Sequence, residues 1–271
     1  MIQNPKRRFT PIPRTRHPSR HAAALAVVAL SIGCTPAPEA APPRVASPSA
    51  APPLDSLYDR SIREAAVVAP GDEKPLRPLT AGPDGTFTVF TWAECRGTVE
   101  PGRCGSYIAD RPVQATWDIW VSAGTEVRDK CKVAANQPLR IWQTLGMPPA
   151  EGGTSRMVTL TGVQPSSIFR PCPDPRTETT SCNGTAFVSP LPPNAPPNFF
   201  EWFAKQAVSS WQIAAAGRKP AGYPWTRLGY TYDWAPDAKD RYGASEYVIP
   251  GQSKPLSVMV QRVQTAEEFC R

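Results

Sequence analysis

The 271-residue chain carries 30 Lys and Arg residues against 23 Asp and Glu, a formal net charge of +7. Six of the basic residues and none of the acidic ones fall in residues 1–33, so the remainder has 24 basic against 23 acidic residues, about +1. The basic balance therefore predicts no nucleic-acid partner.

Both histidines, His17 and His21, also fall in residues 1–33. The remainder therefore lacks the base that serine and cysteine nucleophiles use, and it lacks the imidazole ligands of many zinc sites. It also has no glycine-rich phosphate loop and no G-x-G-x-x-G dinucleotide pattern. We expect no cofactor and no metal.

Residues 1–33 have the features of an export leader. A basic start precedes an apolar run at residues 22–30, and the small residues Ser31 and Gly33 precede Cys34. The run has the length of a signal-peptide core and is shorter than the roughly 20 residues that cross a bilayer.

This pattern resembles the export signal of bacterial lipoproteins, although Ser31 stands where that class usually has an aliphatic residue. The resemblance implies that the leader is cut before Cys34 and that the Cys34 sulfur carries a diacylglyceride. The chain would then be anchored by lipid in the cell envelope, facing the periplasm or the exterior. Without lipid on Cys34 the product would be secreted.

Residues 34–74 are rich in proline and alanine, which predicts a disordered tether. Residues 57–68 could form a short helix within it, ended by Pro70 and Gly71. Residues 75–271 are long enough for one globular domain with its own core.

Six cysteines follow Cys34, and an even number in an exported domain favours disulfides. The closest spacings are nine and ten residues, which do not fit a C-x-x-C metal site. Loop-closure entropy favours the two local pairs, Cys95 with Cys104 and Cys172 with Cys182. Cys131 and Cys270 are then paired by elimination.

Strand patterns come first in the domain. Residues 86–92 are rich in aromatic and β-branched side chains, and residues 117–121 and 157–161 alternate between apolar and polar. Residues 247–249 and 256–263 are separated by a loop containing Pro and Gly, which predicts a closing hairpin.

Helical spacing appears at residues 139–145, before Gly146, and from Asn198 toward Gly217. Strands outnumber helices and do not alternate with them regularly. The chain is therefore predicted to form a single α+β domain with mainly antiparallel strands and two or three helices.

Residues 222–234 are the first candidate ligand site, because aromatic rings beside a guanidinium and a carboxylate suit the stacking of a sugar. The alternative is that the rings fill the core. The candidate residues are Trp225, Arg227, Tyr230, Tyr232, Asp233 and Trp234.

The second candidate is Glu246, within residues 244–251 and followed by the strand that holds Val258 and Val260. This segment resembles the last catalytic segment of ADP-ribosyltransferases, in which a glutamate precedes an aliphatic strand and a proline turn. Ala244 stands where that family often has a second acidic residue or glutamine. An exposed carboxylate at a strand end is the alternative.

Glycosidases provide a third interpretation, since they use two carboxyl groups about 5–9.5 Å apart. Asp233, Asp237, Asp240 and Glu246 are close in sequence.

Two hypotheses of function follow. The first is a lipid-anchored envelope protein that acts by binding or structural contact with an envelope glycan or protein. The second is an exported carboxylate-dependent enzyme, acting in glycan hydrolysis or ADP-ribosyl transfer. The enzyme predicts that Glu246 meets a second acid or Arg227 in one cleft, whereas the binding module predicts exposed aromatic rings on one surface.

Overall fold

The computed structural model describes residues 53–96, 99–113, 116–149, 154–212, 222–251 and 258–271. The predicted export leader and residues 34–52 of the predicted tether, including Cys34, lie outside this part of the chain. Its helices are α1 (Leu54–Ala65), α2 (Thr125–Cys131), α3 (Gln137–Thr144), α4 (Phe199–Ser210) and α5 (Ala266–Phe269). Its strands are β1 (Phe87–Cys95), β2 (Arg103–Cys104), β3 (Tyr107–Ile108), β4 (Arg111–Pro112), β5 (Ile119–Ser122), β6 (Thr154–Val163), β7 (Tyr230–Tyr232), β8 (Tyr242–Ile249) and β9 (Met259–Gln264).

Seven of these strands form one antiparallel sheet in the order β4-β9-β6-β1-β5-β8-β7, and β2 pairs with β3 separately. The prediction of an α+β domain with mainly antiparallel strands is confirmed. The described residues contain five helices, against the two or three predicted for the domain. Helices α3 and α4 have the predicted spacing, α1 overlaps the short helix predicted at residues 57–68, and α2 and α5 are additional.

The pairing within the sheet is uneven. β1 and β6 pair from Phe87↔Val163 to Cys95↔Thr154, with one shift in register between Phe87 and Val89. By contrast, β1 and β5 share the single pair Phe90↔Ser122 within the described residues. On its other side β5 pairs fully with β8, where Ser122 lies opposite Glu246. The middle of the sheet is therefore split beside β5.

The predicted closing hairpin is wrong. β8 and β9 are separated in the sheet by β6, β1 and β5. The alternation predicted both strands, but alternation does not specify a partner. A strand takes the edge that buries its apolar face, and here β8 pairs with β5 while β9 pairs with β6.

Helix α3 follows the local sequence closely. The Asn136 side chain accepts a hydrogen bond from the Leu139 amide (3.1 Å), which caps the first turn. Gly146, with φ of 64°, takes the left-handed conformation beyond the helix end. Helix α4 begins after Asn198 as predicted, but it ends at Ser210, short of Gly217.

Helix α1 lies in the range predicted to be tether. Tyr58 and Ile62 are fully buried, and the Tyr58 ring meets Trp234 edge-on at 5.7 Å. The Tyr58 hydroxyl also donates to the Gly222 carbonyl at 3.1 Å. An apolar stripe at helical spacing thus offsets the ordering entropy of this segment. The prediction of disorder is wrong for residues 53–74, and the domain begins before residue 75.

The six described cysteines form the same three pairs that the sequence predicts. The Cα atoms lie 4.6 Å apart in Cys95–Cys104, 6.5 Å in Cys172–Cys182 and 5.6 Å in Cys131–Cys270. The last bridge ties α2 to the residue after α5. Among the described residues, no helix combines the length and apolar character needed to cross a membrane.

Candidate ligand-binding cleft

The aromatic rings of residues 222–234 are buried. Trp225, Tyr230, Tyr232 and Trp234 are between 2% and 7% exposed. The Trp234 indole N–H donates to the Met147 carbonyl at 2.9 Å. The predicted sugar-stacking surface is wrong, because these rings join the packing between the sheet, its helices and the flanking loops.

Asp233 holds a buried ion-pair cluster. Its carboxylate is fully buried and accepts from both terminal nitrogens of Arg140 (2.7 Å each) and from Lys130 Nζ (2.9 Å). Burial alone would raise the pKa of Asp233, but the hydrogen bonds and charges of Arg140 and Lys130 outweigh it and hold that pKa below its usual value. Asp233 is therefore a structural residue that joins α2 and α3 to the segment after β7.

Arg227 has no part in a shared site with Glu246. Its guanidinium lies over the Trp211 ring at 4.8 Å and donates to the Ala66 carbonyl at 3.1 Å. The convergence of Arg227 with Glu246 that an enzyme predicts is absent.

Glu246 lies in the middle of β8 and is 5% exposed. Its Oε1 atom is buried without a hydrogen-bond partner among the described residues. Burial raises the pKa of Glu246 to about 8, although the positive charge of Arg170 acts in the opposite direction. The alternative of a solvated carboxylate at a strand end is therefore wrong.

Glu246 lines a cavity of about 830 Å³ that follows the split between β1 and β5. The consecutive residues 91–94 of β1 and 119–122 of β5 border it. Because successive side chains of a strand point to opposite faces, a cavity that touches every residue in a run borders the backbone edge of that strand. The cleft thus opens where the two strands stop pairing.

Aromatic side chains dominate the walls of the cleft. Trp117 and Tyr223, 49% and 50% exposed, lie at its rim. Residues 145–147 after α3 and Gln206 and Ser209 of α4 also line it. The other aromatic lining residues are Phe90, Trp92, Tyr107, Trp120, Trp225 and Tyr232.

Two further buried polar atoms on the cleft lack partners. The indole N–H groups of Trp92 and Trp225, which are 6% and 4% exposed, have no acceptor among the described residues. Trp92 packs in the cluster that contains Ala244, and Trp225 in the cluster that contains Val248. Ala244, Glu246 and Val248 are alternate residues of β8 and lie on one face of the sheet.

Two other carboxylates line the cleft, Glu94 and Asp118. Asp118 accepts from the Trp202 indole (2.6 Å) and from the amide of Gly251 (2.8 Å), five residues beyond Glu246 on the same chain. The sheet register places the Cα atoms of Glu94 and Asp118 about 14–17 Å from that of Glu246. Asp237 and Asp240 are exposed and do not border the cleft.

The predicted candidates therefore divide into two groups. Trp225, Tyr232 and Glu246 line one cleft, whereas Arg227, Tyr230, Asp233 and Trp234 do not border it. Sequence reasoning missed Trp92, Trp120 and Ser122. The alternation of side chains along β1 and β5 places these three residues on the same face of the sheet as Phe90. It does not reveal that β1 and β5 stop pairing at this point.

No group of three or more His, Cys, Asp or Glu side chains among the described residues is arranged to hold a metal ion. Comparisons with protein-family models, with curated proteins and with solved structures found no match. The cleft has to be interpreted from its own geometry.

Proposed function

We propose that the chain is an exported, lipid-anchored envelope protein that binds a small polar ligand in the cleft between β1 and β5. Residues 1–34 support export through their resemblance to a lipoprotein signal. The three disulfides are consistent with an oxidising, non-cytoplasmic compartment.

The observation that carries the binding proposal is that three residues lining one cavity each have a buried polar atom without a hydrogen-bond partner among the described residues. Nearly all buried polar groups in folded proteins have hydrogen-bond partners, and an orphan costs about 1–3 kcal/mol. Glu246 Oε1, Trp92 Nε1 and Trp225 Nε1 all lack a partner and all belong to residues that line the cleft. A ligand that supplies these partners recovers that free energy on binding.

The raised pKa of Glu246 favours a second candidate, an enzyme in which the protonated carboxyl acts as a general acid. A glycosidase would need another carboxyl group about 5–9.5 Å away. Asp118 is held near Gly251, and Glu94 is exposed at the far end of β1. This arrangement favours binding over hydrolysis.

Thermal shift assays test the binding proposal. The purified protein is screened against small polar metabolites, and a ligand at 100 times its Kd should add about 2.7 kcal/mol of stability, several degrees in Tm. Glu246→Gln should abolish or sharply reduce the shift, whereas Glu73→Gln, an exposed glutamate outside the cleft, should retain it. A screen without a Glu246-dependent shift contradicts the proposal.

Lipid attachment is tested separately by Cys34→Ser. In a bacterial host the wild-type chain should incorporate labelled palmitate and sediment with membranes. The Cys34→Ser chain should lose the label because it lacks the acceptor sulfur. Equal labelling of the two chains, or none in the wild type, contradicts the anchor.

A further inference from the structure

The charged and aromatic side chains of the cleft indicate the class of its ligand. Among the described residues, the charged side chains that line it are those of the acids Glu94, Asp118 and Glu246 and of the base Arg96, which is exposed. The described lining is thus acidic, and eight Trp, Tyr and Phe residues surround it. A cation is attracted electrostatically both by carboxylates and by the negative faces of aromatic rings.

Glu246 lacks the cationic neighbour that a buried carboxylate usually has. Arg170 is the charged residue whose field reaches it, but the Arg170 guanidinium donates to the carbonyls of Arg77 and Thr179 and to the Tyr247 hydroxyl, each at 3.0 Å. No salt bridge to Glu246 exists among the described residues. Glu246 therefore has no ion-pair partner within the described part of the chain, and a bound cation could provide one.

Other titratable groups near Glu246 do not supply a positive charge. From β7, the Tyr230 hydroxyl donates to the Asp72 carbonyl. From α2, Glu126 accepts from the Ser245 amide at 2.9 Å. On β5 the facing residue is Ser122, and the cleft-lining residues of α4 are Gln206 and Ser209. None of these groups becomes a cation.

We propose that the cleft binds a small organic cation, an ammonium or quaternary ammonium compound, whose positive group lies beside Glu246. This inference rests on the proposed binding function and specifies its ligand. The proton on Glu246 leaves to the solvent when the cation binds, so binding and deprotonation are linked.

That linkage gives the expected pH dependence. The cation pairs with ionised Glu246, and the pKa of that group in the empty protein is about 8. Affinity should rise about tenfold per pH unit up to about pH 8 and level off above it. Near pH 6.5, each mole of cation bound should release about one mole of protons, measured by calorimetry in buffers of different ionisation enthalpy.

The experiment compares cations with uncharged molecules of the same shape. Choline is paired with 3,3-dimethylbutan-1-ol, and putrescine with butane-1,4-diol, by tryptophan fluorescence and calorimetry on the purified protein. At least one cation should bind at least tenfold more tightly than its uncharged isostere. Glu246→Gln should remove this preference, and Glu73→Gln should keep it.

The outcomes separate the two proposals. Equal, pH-independent binding of a cation and its isostere overturns the cation assignment and leaves the binding function standing. The same holds if no cation binds while the thermal screen finds a neutral or anionic ligand whose effect needs Glu246. If neither the cations nor the screen give a Glu246-dependent response, both proposals fail.

Discussion

Asp233 and Glu246 are two buried carboxylates whose surroundings differ in every respect that matters for charge. Asp233 accepts three hydrogen bonds from Arg140 and Lys130, and its pKa is lowered. Glu246 has one oxygen without a partner, and burial raises its pKa to about 8. A buried acid with cationic partners inside the protein stabilises the fold. A buried acid without them borders a cavity where a ligand can supply the partner.

The largest expected effect is the loss of the Asp233 cluster. Asp233→Asn removes the negative charge and leaves Arg140 and Lys130 partly buried without compensation. We expect a loss of about 3–5 kcal/mol in the free energy of unfolding, measured by denaturant titration at pH 7. Asp237→Asn, a change at an exposed position in the same segment, should stay within about 0.5 kcal/mol. Equal effects of the two changes would show that the buried cluster does not stabilise the domain.

Glu246→Gln should have the opposite sign and should depend on pH. A carboxyl group whose folded pKa is raised favours the protonated folded state, so wild-type stability should fall as pH rises from about 4.5 to about 8. Glutamine cannot ionise, and the variant should be more stable than the wild type by roughly 2–4 kcal/mol at pH 9.

Near pH 4 this difference should vanish. At low pH the stability of both proteins should instead depend on Asp233, whose folded pKa is lowered. Its stabilising contribution is fully present above its unfolded pKa, near pH 4, and is lost as the pH falls through its folded pKa. Denaturant titrations of both proteins across pH 4–9 measure the two trends. A difference that does not change with pH would contradict the unpaired state of Glu246.

The smallest expected effect compares two buried tryptophans, one whose indole N–H has a hydrogen-bond acceptor and one whose indole N–H has none. Trp234 donates its N–H to the Met147 carbonyl, whereas the N–H of Trp92 lacks an acceptor. Substitution by phenylalanine should therefore cost about 1 kcal/mol more at Trp234 than at Trp92, since only the first loses a hydrogen bond. The two side chains are similarly buried, at 2% and 6% exposure, so each serves as the control for the other. Equal losses in unfolding free energy would contradict this assignment.

Local pattern was enough to predict the α+β class, helices α3 and α4 and most of the strands, because these depend on short-range periodicity. The strand that pairs with β9 was not predictable, since the alternation of apolar and polar residues shows which face of a strand is buried but does not show which strand lies beside it. Helix α2 was missed because Thr125–Cys131 spans only seven residues. Glu246 was predicted as a candidate site residue, but its surroundings in the cleft were not. They are formed by β1, β5 and α4, which are distant from Glu246 in the sequence.

The nesting of the disulfides affects the order in which the chain can be oxidised. Cys131 must bond with Cys270, 139 residues away, and Cys172 and Cys182 lie between them in the sequence. An oxidase that joins neighbouring thiols as they emerge during synthesis would link Cys131 to Cys172 and trap the wrong isomer. Correct maturation thus requires either that Cys172 closes quickly on Cys182 or that an isomerase later exchanges the mispaired bond.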